Sequence, residues 1–293
     1  MPLEILGVRV DPLTHREVRG VIESFLQSSV PHYIVTINPE FIMAARNDVE
    51  FRTILNNADL AIADGIGVLW AASLLTEPVP LYLKTNQKAR WRWTVRTGLA
   101  KAFAIALFPS WIRAAVPARV SGSDLVRELA RETKARIAFI GGRRGVAHRA
   151  ANMLLKHNLK SHIIMTDDGL ELSIDAEHHL RYDEGEQQAL LLRIQNAKPD
   201  VVFVAFGGQK QEKWIVDSFR HLPHVKLLIG VGGSFDFIAG ELARAPRVLQ
   251  YRGLEWVWRW VLQPWRAKRM MNATIRFMRR VMEEKYQQAD RAL

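Results

Sequence analysis

The chain has no cysteine among its 293 residues, so disulfides, thiolate metal sites and cysteine nucleophiles are all excluded. That suits a reducing compartment. The first residues, MPLEILGVRVDPLT, hold no basic segment followed by an apolar one, and no secretory signal is expected. No apolar run reaches the roughly 20 residues of a membrane-spanning helix. The stretch AFAIALFPSWI (102–112) is interrupted by Pro109 and is expected to dip into a membrane surface rather than cross it. No DxD pair follows an apolar strand, and the adjacent Asp167 and Asp168 make a poor metal site by themselves. The nine histidines show no metal-ligand spacing, and His178 and His179, in an acidic stretch, are expected to be solvated. Neither a metal nor an organic cofactor is expected.

What is present is an apolar fraction of 48% with 24% charged residues, enough for a folded core. The net charge of +11 is unevenly spread. Residues 1–76 carry five basic and nine acidic residues and 120–241 carry sixteen of each, whereas 77–119 carry eight and one and 242–293 carry twelve and four. Seven of the nine tryptophans share those two basic segments: Trp91, Trp93, Trp111, Trp256, Trp258, Trp260 and Trp265. Indole favours the bilayer interface and Lys/Arg pair with lipid phosphates, so this mixture predicts contact with an anionic membrane surface. From Pro264 onward, Ala267, Met270, Met271, Thr274, Met278, Val281 and Met282 share one helical face, with Arg269, Asn272, Arg276, Arg279 and Arg280 opposite. The face suits an interfacial helix, and packing on the protein's own core is the plainer alternative. The composition break near residue 242 divides an expected body, 1–241 with the basic-aromatic insertion 77–118, from a helical membrane-association appendage, 242–293.

Short apolar runs bounded by polar residues or glycine predict strands at 32–37, 58–63, 136–141, 161–166, 200–206 and 225–231. Helices are predicted between them at 14–28, 39–56, 66–75, 123–134, 145–157, 184–196 and 209–220. The alternation predicts an α/β fold, a Rossmann-like, mostly parallel sheet with helices on both faces. Working loops of such a sheet lie at the carboxyl ends of its strands. Thr36 to Asn38, Asp64 with Gly65, Gly141 with Gly142, and Gly207 to Gln211 all follow strands, so they should gather at one edge. Taken singly, Asn38-Pro39 and Asp64-Gly65 read as ordinary turn and helix-start chemistry.

The stretches TINPE (36–40), ADLAIADGIGV (58–68), RVSGSDL (119–125), GGRRGVAHRAA (141–151), PDVVFVAFGGQKQEKWI (199–215), GVGGSFDFIAGELARAP (230–246) and GLEWVWRWVLQPWRAKR (253–269) together resemble the bacterial WecG/TagA/CpsF glycosyltransferases, glycosyltransferase family 26. The resemblance implies inverting, metal-independent transfer of a sugar from a UDP donor to a polyprenyl-diphosphate-linked sugar at the cytoplasmic face of the bacterial inner membrane. N-acetylmannosamine is the favoured sugar, with a hexose or uronic acid of capsule or exopolysaccharide synthesis as the alternative. Two departures stand out: Gln209 replaces the proline of the family's FGxPKQE, and residues 77–118 are a long insertion.

An inverting displacement needs one base for the acceptor hydroxyl, and a carboxylate at a strand end can serve. Asp64 is the candidate, with a helix N-cap as its plainer reading. Thr36 and Asn38 offer neutral hydrogen bonds to sugar hydroxyls or an acyl group. The resemblance assigns Arg119 to the departing diphosphate, Gln211 to substrate, and Arg259, Arg266 and Arg269 to the donor or lipid diphosphate. A solvated charge run competes for those three. Gly142 and Gly145, between a strand and a helix, suggest backbone N–H groups aimed at a nucleotide, with Asp167 and Asp168 where a ribose-binding acid would stand. A nucleotide-dependent oxidoreductase and a single-strand nucleic-acid binder are the competing classes. The oxidoreductase leaves the tryptophan-rich tail unexplained, no nucleic-acid partner is expected, and self-association stays open.

Overall fold

The computed structural model describes residues 2–83, 86–107, 115–142, 144–157, 159–246, 249, 258 and 264–291, with backbone alone at 106–107, 264–272 and 289–291. A hairpin of β1 (Leu3–Ile5) and β2 (Val8–Val10) leads into α1 (His15–Gln27), β3 (His32–Ile37), α2 (Pro39–Ala45), α3 (Val49–Asn56), β4 (Leu60–Ala63) and α4 (Ile66–Leu75). Then come α5 (Gln87–Leu107), α6 (Gly122–Glu132), β5 (Arg136–Gly141), α7 (Val146–Leu155) and β6 (His162–Asp167). A short hairpin, β7 (Ser173–Ile174) and β8 (Leu180–Arg181), precedes α8 (Glu184–Ala197), β9 (Val201–Ala205), α9 (Gly208–Phe219), β10 (Leu227–Gly230), α10 (Ser234–Ala239) and α11 (Pro264–Arg291).

The six expected strands form one sheet in the order β4-β3-β10-β9-β5-β6, and every neighbouring pair is parallel. Side chains alternate between its faces, and both faces are apolar. Val35, Ile37, Ile140, Val202, Val204 and Leu228 enter one core with Trp70 and Trp214, while Ile34, Ile62, Phe139, Phe203 and Ile229 enter the other with Val126 and Ala150. Helices therefore cover both sides. The last strand, β10, inserts beside the first, β3, so loops distant in sequence meet at that point of the carboxyl edge.

Thr14 caps α1 in a capping box with Glu17. The expected helix over 39–56 is two helices. Asn38 caps α2 with Pro39 at its first turn, and Asp48 starts α3 by accepting the Phe51 N–H at 2.8 Å. A polar Arg-Asn-Asp run competes with the helical backbone there and resets the chain direction.

The tail helix does not stand apart. Phe277, Val281 and Met282 of α11 are buried in the core, with Phe277 against Trp70 at 6.3 Å between ring centroids. Lys285 Nζ donates to the Leu75 carbonyl at 2.8 Å and to that of Glu77, tying α11 to the carboxyl end of α4. Burial holds this ammonium below its ordinary pKa. From Phe277 on, packing on the protein's own core describes the apolar face, while Arg276, Arg279 and Arg280 are exposed as expected. The insertion supplies α5, which packs on α4 and α11. Among the described residues no helix is long and apolar enough to cross a membrane.

Candidate active site

A cleft of about 1090 Å³ opens along the carboxyl edge of the sheet, lined by Thr36, Asn38 and Asp64 from the ends of β3 and β4, by Ala205–Gln211 after β9, and by Val231–Phe237 after β10. The expected convergence of strand ends holds for Thr36, Asn38, Asp64, Gly142 and Gln211, all of which line it.

Gly65, not Asp64, occupies the N-cap of α4, with φ +105, a conformation that favours glycine. The helix-cap reading of Asp64 thus gives way, and its half-buried side chain lines the cleft. Asn38 does cap a helix: its Oδ1 accepts from Phe41 N at 2.9 Å. The cap uses only the carbonyl oxygen, so the two amide N–H donors remain for a ligand. Thr36 is buried and donates to Gly230 O at 3.3 Å, joining β3 to β10 beneath the site.

Gln211 is a staple. Its Oε1 accepts the N–H groups of Gly232 at 2.9 Å and Gly207 at 3.3 Å, while Nε2 donates to Glu212 Oε1 at 2.6 Å. It therefore holds the loops after β9 and β10 together, with one N–H left to offer. Glu212 is 0% exposed, its Oε2 has no hydrogen-bond partner among the described residues, and burial pushes its carboxyl up to about 8 against the pull of the Gln211 hydrogen bond. A neutral carboxylic acid thus backs the cleft wall. A Cβ on Gly230 would stand 2.6 Å from both Gln211 Nε2 and Glu212 Oε1, so glycine makes room for the pair.

Two N–H groups of the glycine loop after β5 are spent internally. Gly142 N donates to Ala205 O at 2.9 Å, and Gly145 N donates to Asp168 Oδ1 at 2.7 Å. The anion met by Gly145 is the protein's own carboxylate, and Gly145 does not line the cleft. Asp167 is held by Arg193 at 2.7 Å, which leaves Asp168 as the acid of that pair on the cleft. Arg119 lies just before the Ser121 cap of α6 and does not line the cleft. Burial would raise the carboxyl of Asp124, but hydrogen bonds from Ser121 and Arg244, with the charges of Arg244 and Arg119, hold it below its ordinary value.

Arg244 and Lys210 are cleft cations that sequence reasoning did not single out. Arg244 pairs with Asp124 at 2.7 Å, and Lys210 Nζ donates to Leu172 O at 3.1 Å. Both lie in stretches that carry the family resemblance, GELARAP and GGQKQE, but nothing local distinguishes a cleft cation from a surface one. Trp258 reaches back to the cleft and donates to Ala243 O at 2.9 Å. Arg259 lies outside the described residues; Arg266 and Arg269 are on the backbone of α11, with their side chains outside the description.

A family model, the Glycosyl transferase WecG/TagA/CpsF family, matches residues 3–86 and 97–291, which include every cleft residue named above. The chain belongs to this family. It is a glycosyltransferase. The chain is 28% identical over 270 residues, 87% of its length and 84% of the relative's, to the N-acetylglucosaminyldiphosphoundecaprenol N-acetyl-beta-D-mannosaminyltransferase of Bacillus subtilis strain 168. It is 26% identical over 288 residues, 97% and 93% of the two lengths, to the protein of the same name from Staphylococcus aureus strain MRSA252. The match to the family model skips 87–96, the first half of α5.

Proposed function

We propose that this glycosyltransferase moves N-acetylmannosamine from UDP-N-acetylmannosamine to a polyprenyl-diphosphate-linked N-acetylglucosamine, at the cytoplasmic face of the membrane, in the assembly of a cell-surface polysaccharide. The observation that carries this reading is the pairing of near full-length similarity to relatives with this shared name and a cleft that keeps Asp64 beside Thr36 and Asn38. The relatives' names specify a beta product, which a single displacement gives from an alpha-linked donor.

In that displacement the acceptor hydroxyl oxygen forms a bond to the anomeric carbon as the carbon–oxygen bond to UDP breaks. The hydroxyl proton passes to the Asp64 carboxylate, and UDP leaves with the bonding electron pair. Asn38 amide donors orient the sugar. The glycine loops, pinned by Gln211, let it approach the backbone closely.

The leaving diphosphate needs positive charge. Among the described residues the cleft lining holds Glu40, Asp64, Asp168, Glu171 and Asp236 but only Lys210 and Arg244 as cations. This deficit supports a role for Arg259, Arg266 and Arg269, and for Arg119, in binding the donor or lipid diphosphate in place of a metal ion. Phe277 sits against Gly67 near the start of α4, and Lys285 against its end, so α11 runs alongside α4 in the same direction. At about 1.5 Å per residue, its first ten residues reach roughly 15 Å beyond the Asp64 end of α4. That course supports a membrane-association role for the first turns of α11, ahead of the core-packed Phe277, within the expected appendage 242–293.

A panel of radiolabelled UDP-sugars with a short-chain prenyl-diphosphate N-acetylglucosamine, with and without EDTA, tests the assignment. Transfer of N-acetylmannosamine that survives EDTA is expected. Preferential transfer of glucose or a uronic acid would reassign the donor, and strict dependence on Mg²⁺ or Mn²⁺ would remove the arginine mechanism.

A further inference from the structure

We infer that the outward face of α5, half of it outside the family match, is a lipid-binding face that seats the enzyme on an anionic phospholipid bilayer. The inference rests on the reading of a lipid-linked acceptor.

Helical spacing brings Lys88, Arg92, Arg96, Leu99 and Phe103 to one side of α5, and all five are exposed. Leu99 and Phe103, one turn apart, are 55% and 69% exposed and form an apolar pair on the face that carries the three bases. That other side is buried at Arg90, Thr94, Gly98 and Ile105. Arg90 lies 4.5 Å from the Tyr286 ring, and the Gly98 carbonyl accepts the Trp70 Nε1–H at 2.9 Å. The inner face therefore fixes the helix on α4 and α11, and the outer one is left to solvent. The turn before it, Leu81–Leu83, adds two more exposed apolar residues, Leu81 and Tyr82.

Three bases with large apolar groups on one fixed face match what an interfacial helix presents to acidic headgroups and the acyl boundary beneath them. A second copy of this chain fits less well. A twofold contact through this face would bring the three bases of each copy together with no acid on α5 to pair them. Arg90 meets Tyr286, Gly98 lies by Leu74 and accepts from the Trp70 indole, and Lys101 reaches Ser73 and Glu77, so α5 crosses the carboxyl half of α4 and is held there with its outer face fixed.

The test uses the full chain and vesicles of equal parts phosphatidylglycerol and phosphatidylcholine, or of phosphatidylcholine alone. Leu99→Glu with Phe103→Glu should weaken sedimentation with the anionic vesicles at least about tenfold, leaving turnover of a water-soluble acceptor and the unfolding temperature unchanged. Lys88, Arg92 and Arg96 changed together to Gln should abolish the preference for anionic over neutral vesicles. Undiminished vesicle binding by the double variant overturns the inference. So does undiminished binding with a fall in particle mass by light scattering, which would assign the face to a second copy. If the double variant does not fold, Phe103→Trp decides: tighter vesicle binding is expected, and unchanged or weaker binding overturns the inference. Absence of transfer from every UDP-sugar, with α5-dependent vesicle binding intact, would sink the enzymatic reading alone.

Discussion

Glu212 offers a pH signature that can be isolated from every other group in the protein. Its carboxyl is fully buried beneath the cleft and is pushed up from 4.5 to about 8, chiefly by burial. The folded pKa lies above the unfolded one, so the associated stability is fully present below about pH 4.5, where both states hold the proton. It is lost as pH rises toward 8, because the unfolded chain ionises while the native state does not, and it levels off above that. At about 1.4 kcal/mol per pH unit the loss across this window is at most about 5 kcal/mol, and local rearrangement around the ionised group lowers it to a few. Glu212→Gln keeps an oxygen to accept from Gln211 Nε2 and removes the titration. Urea unfolding of both proteins at about pH 5 and about pH 8.5 should show the variant no more stable at the acid end and roughly 2 kcal/mol more stable at the alkaline end. Taking the difference between the two proteins cancels all other titrations. Parallel stability profiles would refute the neutral buried acid.

Three more tests address the chemistry and the scaffold. Asp64→Asn should lower kcat by about 10²–10⁴ while UDP-sugar binding, measured by calorimetry, stays nearly intact; a kcat within a few-fold of wild type would dismiss Asp64 as the base. Lys213, buried at 2% exposure, pairs with Asp48 at 3.1 Å and with Glu50, so Lys213→Met should cost about 3–5 kcal/mol in urea unfolding. Adding Asp48→Asn should recover part of that loss, and no recovery would mean that packing, not the orphaned carboxylate, sets the cost. Replacing Arg259, Arg266 and Arg269 together by Gln should impair both turnover with a soluble acceptor and binding to anionic liposomes. Normal soluble turnover would reduce the tail to an anchor.

The sheet was legible because its strands are near-continuous apolar runs, the pattern of strands buried on both faces. Both hairpins were missed for want of a turn signature. β1 and β2 turn through Leu6 and Gly7 at φ +51 and +83, and leucine seldom takes that conformation. The helix α5 escaped because its exposed face mixes bases with Leu99 and Phe103, which blurs the apolar periodicity on which helix prediction depends. At the site, the strand-end position of Asp64 and Asn38 was readable, but the engagement of Gln211 was not. Its partners, Gly207 and Gly232, lie on loops that only the insertion of β10 beside β9 brings together. Glu212 and Lys213 lie in the polar run GGQKQEK, which looks like a solvated helix start, yet both are buried. Tertiary placement of α9 under the cleft, invisible to local pattern, decides their burial.

The charge of the cleft gives the membrane reading its mechanistic content. A general base must be ionised to act, and an ionised Asp64 repels the diphosphate that has to lie nearby. Glu40, Asp168, Glu171 and Asp236 add to that repulsion, with Lys210 already donating to Leu172 and Arg244 already paired with Asp124. Further cations would therefore serve donor binding in the cleft. Under our proposal the basic tail supplies them, because its arginines suit lipid phosphate and leaving diphosphate alike, two ligands of one chemistry.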